Sequence, residues 1–235
     1  LAQIGYPIVE IFDHGGFLCT KPEGSGGIVT VGTIAEQMVY EIGDPQAYIL
    51  PDVICDFSNV MLEQVSDNKV LVSGALGRPA PSQYKVCATY ADGFRGGTIM
   101  TFYGIDAAKK AQKLADAVFT GARKSCERLG LSDYSEISTE IIGAESQYGS
   151  HAAIVRPREV AIKIAAKHPA AAGIGVLLKE IVGLGLATPP GLSGFQGGRP
   201  KPSPIIRLYS FLIPKKLLNI CIENDDRVFE YFEVI

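Results

Sequence analysis

The sequence predicts an α+β fold, with mostly antiparallel or mixed sheets and about three helices packed on them. Three observations carry this. Residues 106–129 keep an apolar i, i+3, i+4 spacing, which a helix gathers onto one face. Short runs of β-branched and aromatic residues, bounded by Gly, Pro, Asn and Asp, recur before and after it. The order of patterns is strands, helix, strands, helix, strand pair, helix, strands. Such an order fits antiparallel pairing better than a doubly wound parallel sheet.

Taken in order, residues 6–12 read as a strand, 13–16 as a turn and 17–20 as a returning strand. A glycine-rich loop, 21–27, leads to a helix with Ile34, Met38, Val39 and Ile42 on one face, stopped at Gly43. Residues 53–57, 69–73, 86–90 and 98–103 are strands, and Asp92-Gly93 between the last two is a hairpin-turn signal. The long helix has Asp106 as its N-cap and Gly130 at the position that ends it. Arg123, Lys124 and Arg128 lie toward its C-terminal end, where the helix dipole favours cations. Residues 136–142 and 159–164 are strands, and a Gly-rich helix follows with Pro169 in its first turn. Residues 183–204 hold six Gly and five Pro and read as a long irregular loop. Residues 205–213, 217–222 and 228–235 close the chain as strands. Two segments result, a strand-rich 1–105 and an α+β 106–235, within one continuous core.

Composition narrows the function classes. The 235 residues are 47% hydrophobic and 20% charged, an ordinary globular balance. The net charge of −3 supplies no strong positive field, so neither nucleic acid nor an anionic membrane is an expected partner. The apolar stretch 169–187 carries Lys179-Glu180 at its middle, which favours a helix packed inside the protein over a membrane span. The five scattered cysteines form no C-x-x-C motif. They read as buried free thiols in a reducing, cytoplasmic setting. The three histidines lack ligand spacing, and no zinc site is expected. There is no Walker A motif, dinucleotide fingerprint or nucleophile elbow, so no cofactor is expected.

Four places could hold chemistry. Lys21, Gly24, Ser25, Gly26 and Gly27 form a loop ahead of a helix, where backbone N–H groups and the lysine could meet a phosphate or carboxylate. A plain glycine-rich connection explains the same residues. Glu36 sits with Gln37, Tyr40 and Glu41 on a polar helix face and could act as an acid or base. The spacing Thr33-x-x-Glu36 is equally a capping box, which needs no ligand. Arg78 and Lys85 flank a proline-rich joint and could clamp an acidic group, or could be solvated. Gly194 to Lys201 offers an aromatic and two cations on a loop suited to a lid or to a surface excursion.

Three spaced stretches carry a family resemblance. They are Gly5-Tyr6-Pro7-Ile8-Val9-Glu10; Thr20 to Gly27 running on to Glu36 to Pro45; and Val72 to Pro81 with Lys85-Val86. The chain resembles the core domain of the acyclic terpene utilisation (AtuA-like) family, with residues 1 to about 105 matching best. The resemblance implies a role in breakdown of acyclic terpenes through acyl-CoA intermediates. It also implies that the chain is the C-terminal portion of that core. The N-terminal half, or a partner chain in an oligomer, would then complete it. The weak match at 183–204 gives Arg199 no inherited role. Two readings follow: an enzyme or enzyme subunit binding an acyl-CoA or other anionic small molecule at the glycine-rich loop, or a non-catalytic assembly subunit.

Overall fold

A computed structural model describes residues 1–153, 156–194, 198, 200–219, 221–224 and 227–230. It is α+β, with three α-helices among those residues and antiparallel strand pairing throughout its registered ladders. Two compact units divide the chain: Leu1–Val86 with Ser210–Ile235, and Cys87–Tyr209.

The first unit holds β1 (Ile8–Ile11), β2 (Phe17–Thr20), β5 (Met61–Ser66) and β6 (Lys69–Ser73) in a sheet of order β1-β2-β6-β5. A second small sheet joins β3 (Tyr48–Ile49), β4 (Ile54–Asp56) and β7 (Leu76–Arg78), and β13 (Cys221–Asn224) pairs with β14 (Arg227–Glu230). Strand β5 has no counterpart in the sequence reading, although Asp67-Asn68 turns it back onto β6 with Asn68 at φ 56°. The buried cluster of this unit is small: Cys19, Val29, Val70 and Val72. The helix α1 (Val31–Met38) ends short of Gly43. The segment expected as a strand at 217–222 is a 3₁₀ turn at Lys215–Leu217 before β13. The end of the last expected strand, 231–235, lies outside the described residues.

The second unit is built on a five-stranded sheet in which β11 (Leu192–Gly194), β8 (Gln83–Tyr103), β10 (Glu159–His168) and β9 (Glu136–Ile142) follow one another, and β12 (Ser203–Pro214) also pairs with β8. Strand β8 runs on through Asp92-Gly93, so the expected hairpin is not there. Gly93 takes φ 78°, and a Cβ on it would lie 2.7 Å from the His168 carbonyl oxygen. A bare, left-handed residue here lets the strand pass close to the end of β10. The 183–204 stretch is likewise less irregular than its composition suggests, since it includes the helix end, β11 and the start of β12.

The helices α2 (Ala107–Arg128) and α3 (Ala171–Gly185) pack on one face of this sheet. Along β10, Val160, Ile162, Ile164 and Ala166 alternate into the core, where Phe102, Val118, Ile174 and Leu177 meet them. The period of two in the strand and 3.6 in the helices delivers these faces to each other. The C-terminus of α2 closes as the glycine predicts. Gly130 takes φ 66°. Its N–H donates to Glu127 (3.0 Å) and that of Leu131 to Cys126 (2.9 Å), which is the Schellman arrangement. Asp106 stands at the N-cap but makes no side-chain capping bond, and instead pairs with Lys109 at 3.3 Å. Pro169 precedes α3 rather than lying in its first turn, and Ala170 is the N-cap. No helix among the described residues is long and apolar enough to cross a membrane. Cys19 and Cys126 are buried thiols, as expected, but Cys87 and Cys221 are exposed.

Candidate functional site

The glycine-rich loop brings Lys21, Ser25 and Gly26 together, but turns their donors inward. The Lys21 ammonium donates to the Ser25 carbonyl. Ser25 Oγ donates to the Pro22 carbonyl at 2.6 Å, and the Gly26 N–H to the Gln3 carbonyl at 3.0 Å. The positive φ of Gly24 (73°) and Gly27 (83°) lets the loop close on itself in this way. The start of α1 is occupied too. Thr30 is its N-cap, with Thr30 Oγ1 accepting from the Thr33 N–H and Thr33 Oγ1 from the Thr30 N–H. The Val31 N–H donates to the Gln64 side chain. The capping box is therefore Thr30 with Thr33, one turn earlier than Thr33 with Glu36. Glu36 is an exposed residue of α1 with no capping role. Arg78 donates to the Gln46 carbonyl, and Lys85 is exposed on β8. Among the described residues, no hydrogen bond or ion pair joins Glu36, Arg78 or Lys85 to the loop. Phe195, Gln196, Gly197 and Arg199 of the fourth expected place lie outside the described residues.

Two grooves lie in the second unit, around the end of α3. One, of about 660 Å³, lies between Thr98 and Met100 of β8, Ile181 and Val182 of α3, and the turn Thr188 to Leu192. Its walls are chiefly aliphatic side chains, prolines and glycines. A second groove, of about 300 Å³, shares Thr188 and Pro189 with it and has Leu114, Ala117, Leu184 and Ala187 as an apolar floor. Three lysines of α2 rim this second groove. Lys110 is a staple: its ammonium donates to the carbonyls of Tyr103 (3.1 Å) and Pro190 (2.7 Å) and ties the turn to the helix. Gly191 makes that turn possible, since at φ 116° a Cβ would lie 2.4 Å from the Tyr103 oxygen. Lys109 is paired with Asp106, whereas Lys113 makes no ion pair among the described residues. Lys113 is thus the cation available to an anionic group over an apolar floor.

The sequence reading missed this place. Its signal was available in Lys109, Lys110 and Lys113, at i, i+1 and i+4 near the start of the most secure helix. What could not be read was that Pro189-Pro190-Gly191, some 80 residues on, folds back beside them.

The charge of the chain is unevenly divided. Residues 87–209 carry 15 Lys and Arg against 10 Asp and Glu, and the remainder carries 7 against 15. The modest overall charge conceals a cationic second unit, which is where the grooves lie.

A family model described as acyclic terpene utilisation family protein AtuA matches residues 1–223, well past the stretch of best resemblance. No curated protein and no solved structure matches the chain.

Proposed function

Because the chain belongs to the acyclic terpene utilisation family, we propose that it acts in acyclic terpene breakdown as an enzyme or enzyme subunit that binds an anionic small molecule with an apolar body, of the carboxylate or acyl-CoA class. The observation that carries this reading is the pair of adjoining grooves that share Thr188 and Pro189: the smaller has an apolar floor and a rim of lysines, and the larger, of about 660 Å³, mixes aliphatic side chains with polar groups. Small-molecule sites combine apolar surface that takes the body of the ligand with polar groups that set its orientation. Here the aliphatic wall would take the hydrocarbon and Lys113 the charged end. Calorimetric titration with citronellate, a branched ten-carbon carboxylate, tests it. Saturable binding is expected, weakened at least tenfold by Val182→Trp, which fills the groove from an exposed position, and less severely by Lys113→Glu. Absence of binding, or binding indifferent to both variants, would refute it.

The assembly reading is favoured by one separate observation. In the first unit only the four residues of its small cluster are buried hydrophobics among those described, while Ile4, Tyr6, Ile8, Val9 and Ile11 lie exposed along and beside the edge strand β1. An exposed apolar edge is a docking liability that native proteins cover. Purification of the native protein, with light scattering and mass spectrometry of co-purifying chains, tests this. A stable monomer without partners would refute it.

A further inference from the structure

We propose that the uncovered face of the second unit's sheet carries a recess for a phosphate group, built by Arg95, Lys163, Lys201 and Ser203 around the bare Cα of Gly97. Directly paired residues of an antiparallel ladder point to the same side, so the register identifies what lies on the face opposite the helices. Three successive rows cross it: Ile99–Lys163–Glu140, Gly97–Ala165–Ser138 and Arg95–Lys167–Glu136. The middle row has almost no side chain. A Cβ on Gly97 would come 2.1 Å from the Ile164 carbonyl oxygen, so the strands approach closely there. The result is a recess of about 400 Å³ with a backbone floor, to which Lys201, just ahead of β12, and Ser203, its first residue, contribute.

The charges around the recess do not cancel. Lys163 is held by Glu140 at 2.6 Å. Lys167 is held by Asp92 at 2.6 Å and Glu136 at 3.5 Å, and Arg207 binds the same two carboxylates. Arg95 and Lys201 have no acidic partner among the described residues, although both line the recess. Two uncompensated cations beside a hydroxyl match a dianionic phosphate, for which the arginine offers paired donors and the lysine a point charge. The cationic surplus of residues 87–209 draws anions toward the same unit. The recess also shares Thr98 and Ile99 with the groove of about 660 Å³, and Pro200 and Lys201, one from each rim, are consecutive. This assignment deepens the function proposed above: Lys113 serves the carboxylate of a free acid, and the recess serves the phosphate of a phosphate-bearing ligand of the acyl-CoA class. It rests on that reading only for the identity of the apolar end.

The test is titration of the full chain with inorganic pyrophosphate, followed by calorimetry at fixed ionic strength. Arg95→Ser and Lys201→Ser should each weaken binding at least tenfold, and Ala165→Leu, which fills the floor without changing charge, should abolish it. Glu140→Gln releases Lys163 and should strengthen binding severalfold. Lys179→Ser removes an exposed cation from α3 and should leave binding unchanged. Circular dichroism confirms that each variant is folded. Equal losses in Lys179→Ser and Arg95→Ser would reduce the effect to general attraction and overturn the site, as would a lack of pyrophosphate binding by the unaltered chain. Citronellate affinity should not respond to Arg95→Ser. Citronellate binding without pyrophosphate binding would sink the recess alone, and the reverse would sink the groove reading alone.

Discussion

Two glycines two residues apart in α3 should respond to the same substitution with opposite sign. Gly173 is buried against the ring of His168, and a Cβ there would lie 2.3 to 2.5 Å from three ring atoms. The ring cannot swing aside. Its Nε2 lies 3.0 Å from the Ser132 carbonyl oxygen, and its Nδ1 lies 2.9 Å from the Ala170 nitrogen and 3.0 Å from the Ala170 carbonyl oxygen, so both sides of the ring are held. Overpacking of this kind costs about 1–3 kcal/mol, and a ring held from both sides belongs at the upper end. Against this, Ala for Gly in a helix gains up to about 1 kcal/mol. Gly173→Ala should therefore lose about 2 kcal/mol net. At Gly175 a Cβ would meet nothing within 4 Å, so Gly175→Ala should gain up to about 1 kcal/mol. The chain has no tryptophan, and a probe local to the second unit is preferable. Hydrogen exchange of the β10 amides, followed by mass spectrometry, supplies one. A loss of about 2 kcal/mol speeds exchange by opening about 30-fold. Protection in Gly173→Ala equal to or above that of the unaltered chain would refute the account of the His168 pillar.

Tyr134→Phe removes a buried hydroxyl that donates to the Gly173 carbonyl at 2.9 Å, and should destabilise the second unit by about 1–3 kcal/mol, the scale for a buried group left unpaired; urea denaturation checks it. Thr30→Ala should cost the first unit about 1 kcal/mol as a lost N-cap. Glu36→Gln should leave thermal unfolding unchanged, because the cap lies one turn earlier. The hydrogen bond from Lys167 holds the Asp92 carboxyl below its usual range, against burial, with Arg207 adding to the effect. The network's stabilisation is complete above the ordinary carboxylate value of about 4 and fades as pH falls through the lower folded value. Lys167→Met should move the Asp92 titration upward in carboxyl-carbon NMR, and an unmoved titration would count against the network.

The class of the fold was legible because periodicity is a property of sequence. The spacing from Ala111 to Cys126 and the alternation of Val160, Ile162 and Ile164 report which side chains share a face, and Gly130 marks a backbone conformation that glycine adopts without strain. The family was legible from its spaced motifs. Local chemistry was read less surely. Thr33-x-x-Glu36 has the spacing of a capping box, but Thr30 supplies the cap and the helix starts a turn earlier. Asp92-Gly93 has the composition of a hairpin turn, yet the strand continues because the His168 carbonyl needs room beside Gly93 and Asp92 has Lys167 and Arg207 as partners. The glycine-rich loop has the composition of an anion cradle, but Gln3 and Pro22 accept its hydrogen bonds. Both grooves and the recess are assembled from residues as far apart as Arg95 and Lys201, or Lys110 and Pro189. A sequence determines which faces must be buried, since that follows from neighbours three, four or two residues away. Which donors remain free, and which cations lack a counterion, depends on segments tens of residues apart, and only the tertiary structure decides it.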